Sequence, residues 1–424
     1  MLPFVFLIVC GVYLTVKCRF FQFRFLPASL KYAFGGMKSN SGKNGVSPFQ
    51  AACTALSATV GTGNIAGVAG AVAIGGAGAV FWMWVSAFAG MIVKVAEILL
   101  SLEYREKKQA EYIGGPMYYI KNGLPKILAP MSFLYAAAAV PAVFCSGNLT
   151  QTGAAVQSFG GGTAVKFIGG AAFAAITAAV LAGGAERIGN FTGKIVPFMA
   201  LLYLIMTFGI IGVNISRLPA ALSMILEGAF KPAAVTGGAV GSLSAAVLTG
   251  ASRGVFSNEA GLGTSAMAHS ASAYTDGTRQ SLFGIFEVFV DTVVICTLTA
   301  LSMLCSGVGI EYGKGASTEL VSSAFATLYG KYSVILLAVM MCLFGLSSVI
   351  GWGYYGIVSC NFLFGKTGRR LFLLLYPLFC IPGALMNIDA AWRLSAFFNG
   401  MLLSINVFAV LLLSEKVIIR LKDL

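Results

Sequence analysis

Apolar runs long enough to cross a bilayer as α-helices alternate with short polar stretches along almost the whole chain; such a crossing needs about 20 mostly apolar residues. The pattern predicts eleven spans, at residues 1–16, 48–75, 77–101, 128–157, 165–185, 192–214, 235–270, 280–306, 332–363, 369–386 and 392–414. Several exceed what one straight helix needs, so tilted or broken helices are expected, above all at 48–75, 235–270 and 332–363. Barrel strands would instead alternate apolar and polar residues over about 10 positions, a pattern the chain does not follow. The fold class expected is all-α, a polytopic membrane helix bundle. The loops are too short for a separate soluble domain, so residues 1–424 read as one transmembrane domain.

Composition sharpens this picture. Of 424 residues, 58% are hydrophobic and 10% charged, and mean hydropathy is +0.86. A soluble core of this size could not hide so much apolar surface, so the lipid bilayer is the expected solvent. The net charge of +13 would suit nucleic acid, but its distribution argues otherwise. Of the 28 Lys and Arg residues, twenty fall on one side of the predicted spans, including Lys17, Arg105, Arg187, Arg369 and Lys416, and six fall on the other. Lys94 and Arg253 lie inside spans. The rich side is cytoplasmic by the positive-inside rule; this places the N-terminus outside and the C-terminus inside a cell inner (plasma) membrane, with no nucleic-acid partner. The nine cysteines lack CxxC spacing and partner histidines, which excludes a zinc site or disulfide framework and leaves packing as their role. The first apolar run lacks a leading basic region and a small-residue cleavage site, and is read as a retained helix.

Chemistry concentrates where spans are interrupted. The stretch SATVGTGNIA, Ser57 to Ala66, sets Gly61, Thr62, Gly63 and Asn64 in an otherwise apolar segment. Each glycine costs a helix about 1 kcal/mol relative to alanine. A helix that unwinds here frees carbonyls for a cation and N–H groups for a carboxylate. A close-packing face of small residues is the alternative use of such glycines. The second interruption runs from Gly250 to Ser270 and carries Arg253, Asn258 and Glu259 among four glycines. Arg253 and Glu259 are candidates to pair with each other or to form a gate, unless the stretch is an interfacial loop with its charges in water. His269, the only histidine, has no second imidazole beside it, and a satisfied structural role is expected. Asn148 and Gln151 share a helix face at i and i+3. Ser347 and Ser348, followed by Trp352, offer paired hydroxyls to a hard cation; such serines also bond their own i−4 carbonyls, and such amides also join helices. Asp291 is a further gating or ion-pair candidate, and Glu97 is expected near the cytoplasmic surface.

At these residues the sequence resembles the alanine or glycine:cation symporters, also called sodium:alanine symporters. The blocks that carry the likeness are SPFQAACTALSATVGTGNIAGVAGAVAIGG, GAVFWMWVSAFAGM, YIGGPMYYI, GVFSNEAGLGTSAMAHSASA, FVDTVVICTLTAL and IGWGYYG. The resemblance implies a LeuT-type core of two inverted five-helix repeats over about residues 48–414, preceded by one extra N-terminal helix at 1–16. It also implies a substrate pocket of Gly61, Thr62, Gly63, Asn64, Asn148, Gln151, Ser348 and Trp352. Sodium would be held by Ser57, Val60, Asn64, Ser347 and Ser348, with no cofactor beyond Na+ as coupling ion and no other metal. Two positions depart from the pattern: the family often has Ser-Thr-Ile-Leu-Gly-Trp-Ser where this chain has Ser347 to Gly353, and Ser-Ala-Pro where it has Thr264 to Ala266. Serine for threonine keeps an oxygen ligand, whereas Gly353 is expected to enlarge or depolarise one corner of the pocket.

The function expected is sodium-coupled symport of alanine or glycine into the cytoplasm by alternating access, with no enzymatic step. The alternatives are a proton-coupled or a glutamine- or serine-preferring carrier of the same fold, an ion channel, and an amino-acid sensor that does not transport. No HExxH or GxSxG motif supports an intramembrane enzyme.

Overall fold

The computed structural model describes residues 2–36, 45–108, 111–238, 242–273, 276–313 and 318–422. Within them the chain is helical throughout, apart from a small antiparallel hairpin of Glu106–Lys108 and Glu111–Ile113. Seven helices are long and apolar enough to cross a membrane, or eight when the bent pair Pro48–Thr59 and Thr62–Gly75 counts as one span. Each of the eleven segments expected from the sequence contains helix. Between them lie helices that the apolar pattern does not reveal, including Leu26–Gly36, Leu218–Phe230 and Thr318–Tyr329.

The Gly184–Val213 helix shows how sequence becomes packing. Phe198, Leu201, Ile205 and Phe208 are exposed along one face. Met199, Tyr203, Met206 and Ile210, at the same helical spacing, are buried on the other. An apolar exposed stripe opposite an apolar buried one is the mark of a helix with lipid as its outer solvent.

Three local features interrupt the helices. Pro48–Thr59 starts cleanly: Ser47 Oγ accepts from the Gln50 amide, Gln50 Oε1 accepts from the Ser47 amide, and Pro48 occupies the first turn. It ends at Val60, and the chain resumes as a helix after a 57° bend. The second break separates Leu243–Asn258 from Thr264–Ser270. There Glu259 takes φ 56°, an uncommon left-handed conformation for a side chain, and Gly261 and Gly263 follow at φ 86° and 77°. The expected span at 235–270 is correspondingly shorter, beginning as a helix at Leu243 after a turn at Pro232–Val235. The third break falls at Gly365 (φ 63°, ψ −149°) and divides the long run Ser333–Leu378 into two helices. Two helices also carry π segments, at Val143–Leu149 and Phe289–Cys296. Such widened turns shift side-chain register and often lie at functional sites.

The Ala79–Glu103 helix is the hub. It packs against Leu243–Asn258, Gly277–Val288 and the first helix Leu2–Lys17, while Leu2–Lys17 also touches Ile388–Leu412. The broken segments are therefore enclosed by helices, where irregular backbone is tolerated at membrane depth.

Candidate functional site

The two breaks meet. At the first, the Gly61 amide donates to Asn64 Oδ1 (2.9 Å), while the Thr62 amide and hydroxyl both donate to Gln151 Oε1 (3.0 and 2.9 Å). Asn64 Nδ2 reaches across to Ser257 Oγ (3.0 Å), on the helix that leads into the second break, and to Asp291 Oδ1 (2.7 Å). Ser257 and Thr292 hydroxyls donate to Asp291 Oδ2 at 2.6 and 2.8 Å. Thr299 Oγ1 donates to the Asn64 carbonyl (2.9 Å) and is itself 2.6 Å from Tyr203 Oη. Asn64, Asp291, Thr292 and Thr299 are fully buried. Asp291 sits in the π segment and has no salt-bridge partner among the described residues. A buried carboxylate held only by neutral donors is costly, and the same oxygens suit a dehydrated monovalent cation.

Glycine at 61 follows from this crowding. A Cβ there would lie 2.5 Å from Ser348 Oγ and 2.8 Å from Gln151 Oε1. Ser348 Oγ lies 3.3 Å from the Ala58 carbonyl and 3.5 Å from the Val60 carbonyl, so it caps the end of the first half-helix. Beside this contact is a narrow void of about 10 Å³, lined by Ala58, Thr59, Gly63, Ser146, Gln151, Phe256, Ser257, Glu259 and Trp352.

Other expected residues stand elsewhere. Ser347 donates to the Phe344 carbonyl (2.9 Å) and to Met199 Sδ (3.3 Å), a different direction from Ser348, because consecutive helical residues diverge by a large rotation. Ser57 Oγ donates to the Thr54 carbonyl (2.7 Å) and packs over Gly351, whose added Cβ would meet it at 2.4 Å. Asn148 does not share a site with Gln151: the π segment shifts its register, and its Nδ2 donates to the Tyr376 carbonyl (2.7 Å). Gly353 faces Leu181 and Tyr376 rather than the void, so the expected change to a pocket corner does not arise.

The proposed Arg253–Glu259 pair is absent. The Arg253 guanidinium lies 5.3 Å from the Trp392 ring centre, and Trp392 packs at a tilt against Phe256 (4.8 Å between centroids, 48° between planes). Glu259, six residues on and turned into the left-handed conformation, instead accepts from Thr264 Oγ1 at 2.6 Å. Asn258 Nδ2 donates to Thr292 Oγ1 (3.1 Å), and Asn258 Oδ1 accepts from the Ala260 amide (3.0 Å). Glu97, in the last turns of Ala79–Glu103, is fully buried within the protein and accepts from Asn406 Nδ2 at 2.6 Å. His269 has the satisfied role expected of it, with Nε2 2.6 Å from Glu287 Oε1 and Nδ1 2.9 Å from Gln280 Nε2. No group of three or more metal-ligating side chains occurs among the described residues.

Ser257, Glu287, Thr292 and Thr299 escaped the sequence reading. A signal for some of them was present: Glu287 and Asp291 lie four residues apart in an apolar helix, as Lys94 and Glu97 lie three apart in another, and ionisable pairs at membrane depth mark function.

The sodium:alanine symporter family profile matches residues 1–424. The chain is 38% identical to the sodium/alanine symporter AgcS of Methanococcus maripaludis, across 98% of this chain and 92% of that protein. It is 34% identical to a probable sodium/glutamine symporter, GlnT, and 32% identical to a putative sodium/proton-dependent alanine carrier, YrbD, both of Bacillus subtilis; these alignments cover 99% and 97% of this chain and 87% of each relative. The structure superposes on MhsT, solved in complex with L-phenylalanine, with a TM-score of 0.63 at 15% identity, covering 88% of this chain and 90% of that one. That likeness fixes a LeuT-type fold. The chain is a multi-pass membrane transporter, not an enzyme, and belongs to the sodium:alanine symporter family.

Proposed function

We propose that this protein imports alanine or glycine together with sodium by alternating access. The observation that carries the reading is the Asn64–Ser257–Asp291 cluster, a buried anionic oxygen site that bridges both helix breaks beside a narrow void. Sodium held by the Asp291 carboxylate neutralises it, and Asn64, which donates through Nδ2 to Asp291 and accepts the Gly61 amide at Oδ1, couples that oxygen site to the first break. The break then presents a pre-shaped row of backbone at Gly61–Gly63 to the carboxylate of the amino acid. Gln151 occupies the Thr62 amide in this state, so substrate binding displaces its carboxamide. Trp352 and Phe256 line that narrow void, and such bulky walls favour alanine or glycine over glutamine. Cotransport follows when only the empty and the fully loaded carrier reorient, and the membrane potential adds about 2.3 kcal/mol per charge for each 100 mV. The N-terminus faces outside and the C-terminus the cytoplasm of the inner membrane, on the distribution of Lys and Arg.

Equilibrium binding of glycine, L- and D-alanine, serine and glutamine to purified protein, each in sodium and in choline chloride, tests this reading. Sodium-dependent binding of alanine or glycine, with glutamine weaker, is the expected result. Equal binding in choline removes sodium as the coupling ion.

A further inference from the structure

The Ala79–Glu103 helix carries Lys94 and Glu97 one turn apart, both fully buried. Neither lines the void between the two breaks. Lys94 Nζ donates to the Asn258 carbonyl at 2.7 Å, at the last residue of the Leu243–Asn258 half-helix. Its charge is held in place by Glu287 Oε2 at 3.4 Å, and Glu287 Oε1 is fixed in turn by His269 on the far half-helix. Gln280 Nε2 donates both to His269 Nδ1 and to the Pro48 carbonyl (3.2 Å), so His269 accepts at Nδ1 and carries its proton on Nε2 toward Glu287. Glu97 addresses the other side of the break, and it does so through Asn406. Asn406 Nδ2 bridges Glu97 Oε1 to the Gly261 carbonyl at 2.6 and 2.9 Å.

A cation at the carbonyl end of one half-helix matches the polarity of the backbone that the break exposes there, and an anion that orients the Asn406 amide beyond it fixes the Gly261 carbonyl. Residues 258–263 carry the left-handed Glu259 and two positive-φ glycines, backbone that an isolated chain does not hold in one shape. Ser257 and Glu259, which flank Asn258, both line the void. We infer that Lys94 and Glu97 are positioning residues: a charged clamp on the second helix break that sets Ser257 and Glu259 against the void between the two breaks without touching the transported solutes. The inference rests on the symport reading for its transport readout, and on backbone geometry alone for its second readout.

The test compares Lys94→Met, Glu97→Gln, the double variant, and the conservative Lys94→Arg and Glu97→Asp, all in the full chain reconstituted in liposomes and normalised to folded protein. The clamp predicts a rise of about tenfold in the alanine concentration for half-maximal uptake in Lys94→Met and Glu97→Gln, with maximal rate nearly unchanged. The double variant should be no worse than the weaker single, because both act on one break. The conservative variants should recover wild-type values. A scaffold role alone would lower the amount of folded protein and leave half-saturation where it was. Amide hydrogen exchange over residues 258–264 reads the clamp independently of transport: it should be faster than wild type in Glu97→Gln and in Lys94→Met. Glu97→Gln is close to isosteric; wild-type half-saturation together with wild-type exchange in that variant overturns the inference. Failure of alanine uptake by the wild type, with altered exchange in the variants, overturns the symport reading and leaves the clamp standing.

Discussion

At the residue scale the account turns on a few atoms around Asp291. Asp291→Asn keeps the side-chain shape but removes the charge, and replaces one acceptor oxygen by an NH2 donor, in a site built on Asn64, Ser257 and Thr292. The sodium concentration for half-maximal alanine uptake is therefore expected to rise about tenfold or more, the equivalent of about 1.4 kcal/mol, in a sodium titration. Gly61→Ala places a methyl 2.5 Å from Ser348 Oγ and 2.8 Å from the Gln151 carboxamide oxygen. Loss of measurable amino-acid binding is the expected outcome, with a melting temperature that stays within a few degrees of wild type because the neighbouring side-chain ends can rotate away. Much of this site could be read from the sequence: glycines and an asparagine inside an apolar run are expensive unless their backbone is used. Asn148 could not be placed, because a π turn leaves no mark in an apolar pattern yet swings every later side chain to a new face. Ser347 and Ser348 present the same difficulty in reverse, since adjacent identical residues carry no sign of which one faces inward.

At the scale of elements, the breaks do what uninterrupted helices cannot: they release backbone groups to side-chain partners, as the Gly61 and Thr62 amides and the Asn258 carbonyl show. Their positions were legible from clustered glycine and polar residues at 57–66 and 250–270. Their partners were not, since Asp291 reaches Asn64 across 227 positions of sequence and the Asn406 amide reaches Glu97 across 309. The pairing of Arg253 with Glu259 failed for a local reason: the helix ends between them, and Glu259 turns into the left-handed region at its cap. Gly365 supplies a test of the third break. Its φ of 63° with ψ of −149° belongs to backbone that only glycine adopts without strain, although no atom lies within 4 Å of an added Cβ. Gly365→Ala should thus lower stability by about 1–3 kcal/mol through strain alone, seen as a lower melting temperature of the detergent-solubilised protein. An unchanged melting temperature would mean that the two helices joined at Gly365 adjust freely.

At the scale of the whole molecule, hydropathy and the Lys and Arg distribution gave the membrane class and the expected topology, because both are dictated by solvent rather than by fold. The short connecting helices were hidden for the converse reason: in helices such as Leu218–Phe230, apolar side chains are both buried and exposed, without a length that marks a crossing. A small-molecule maleimide that does not cross membranes should label a cysteine placed at Lys314 from outside intact cells and should leave one placed at Lys366 unlabelled; the reverse pattern inverts the proposed topology. The central claim is that sodium, bound where the two breaks meet, drives the movement of a small amino acid. Its most direct measurement is uptake of labelled alanine into proteoliposomes under an inward sodium gradient, with pH equal on both sides and a potassium–valinomycin potential set negative inside. Accumulation above the external concentration is expected, disappearing when choline replaces sodium and accompanied by inward positive charge. Accumulation of the same size in choline, driven by an imposed pH gradient, would contradict the central claim.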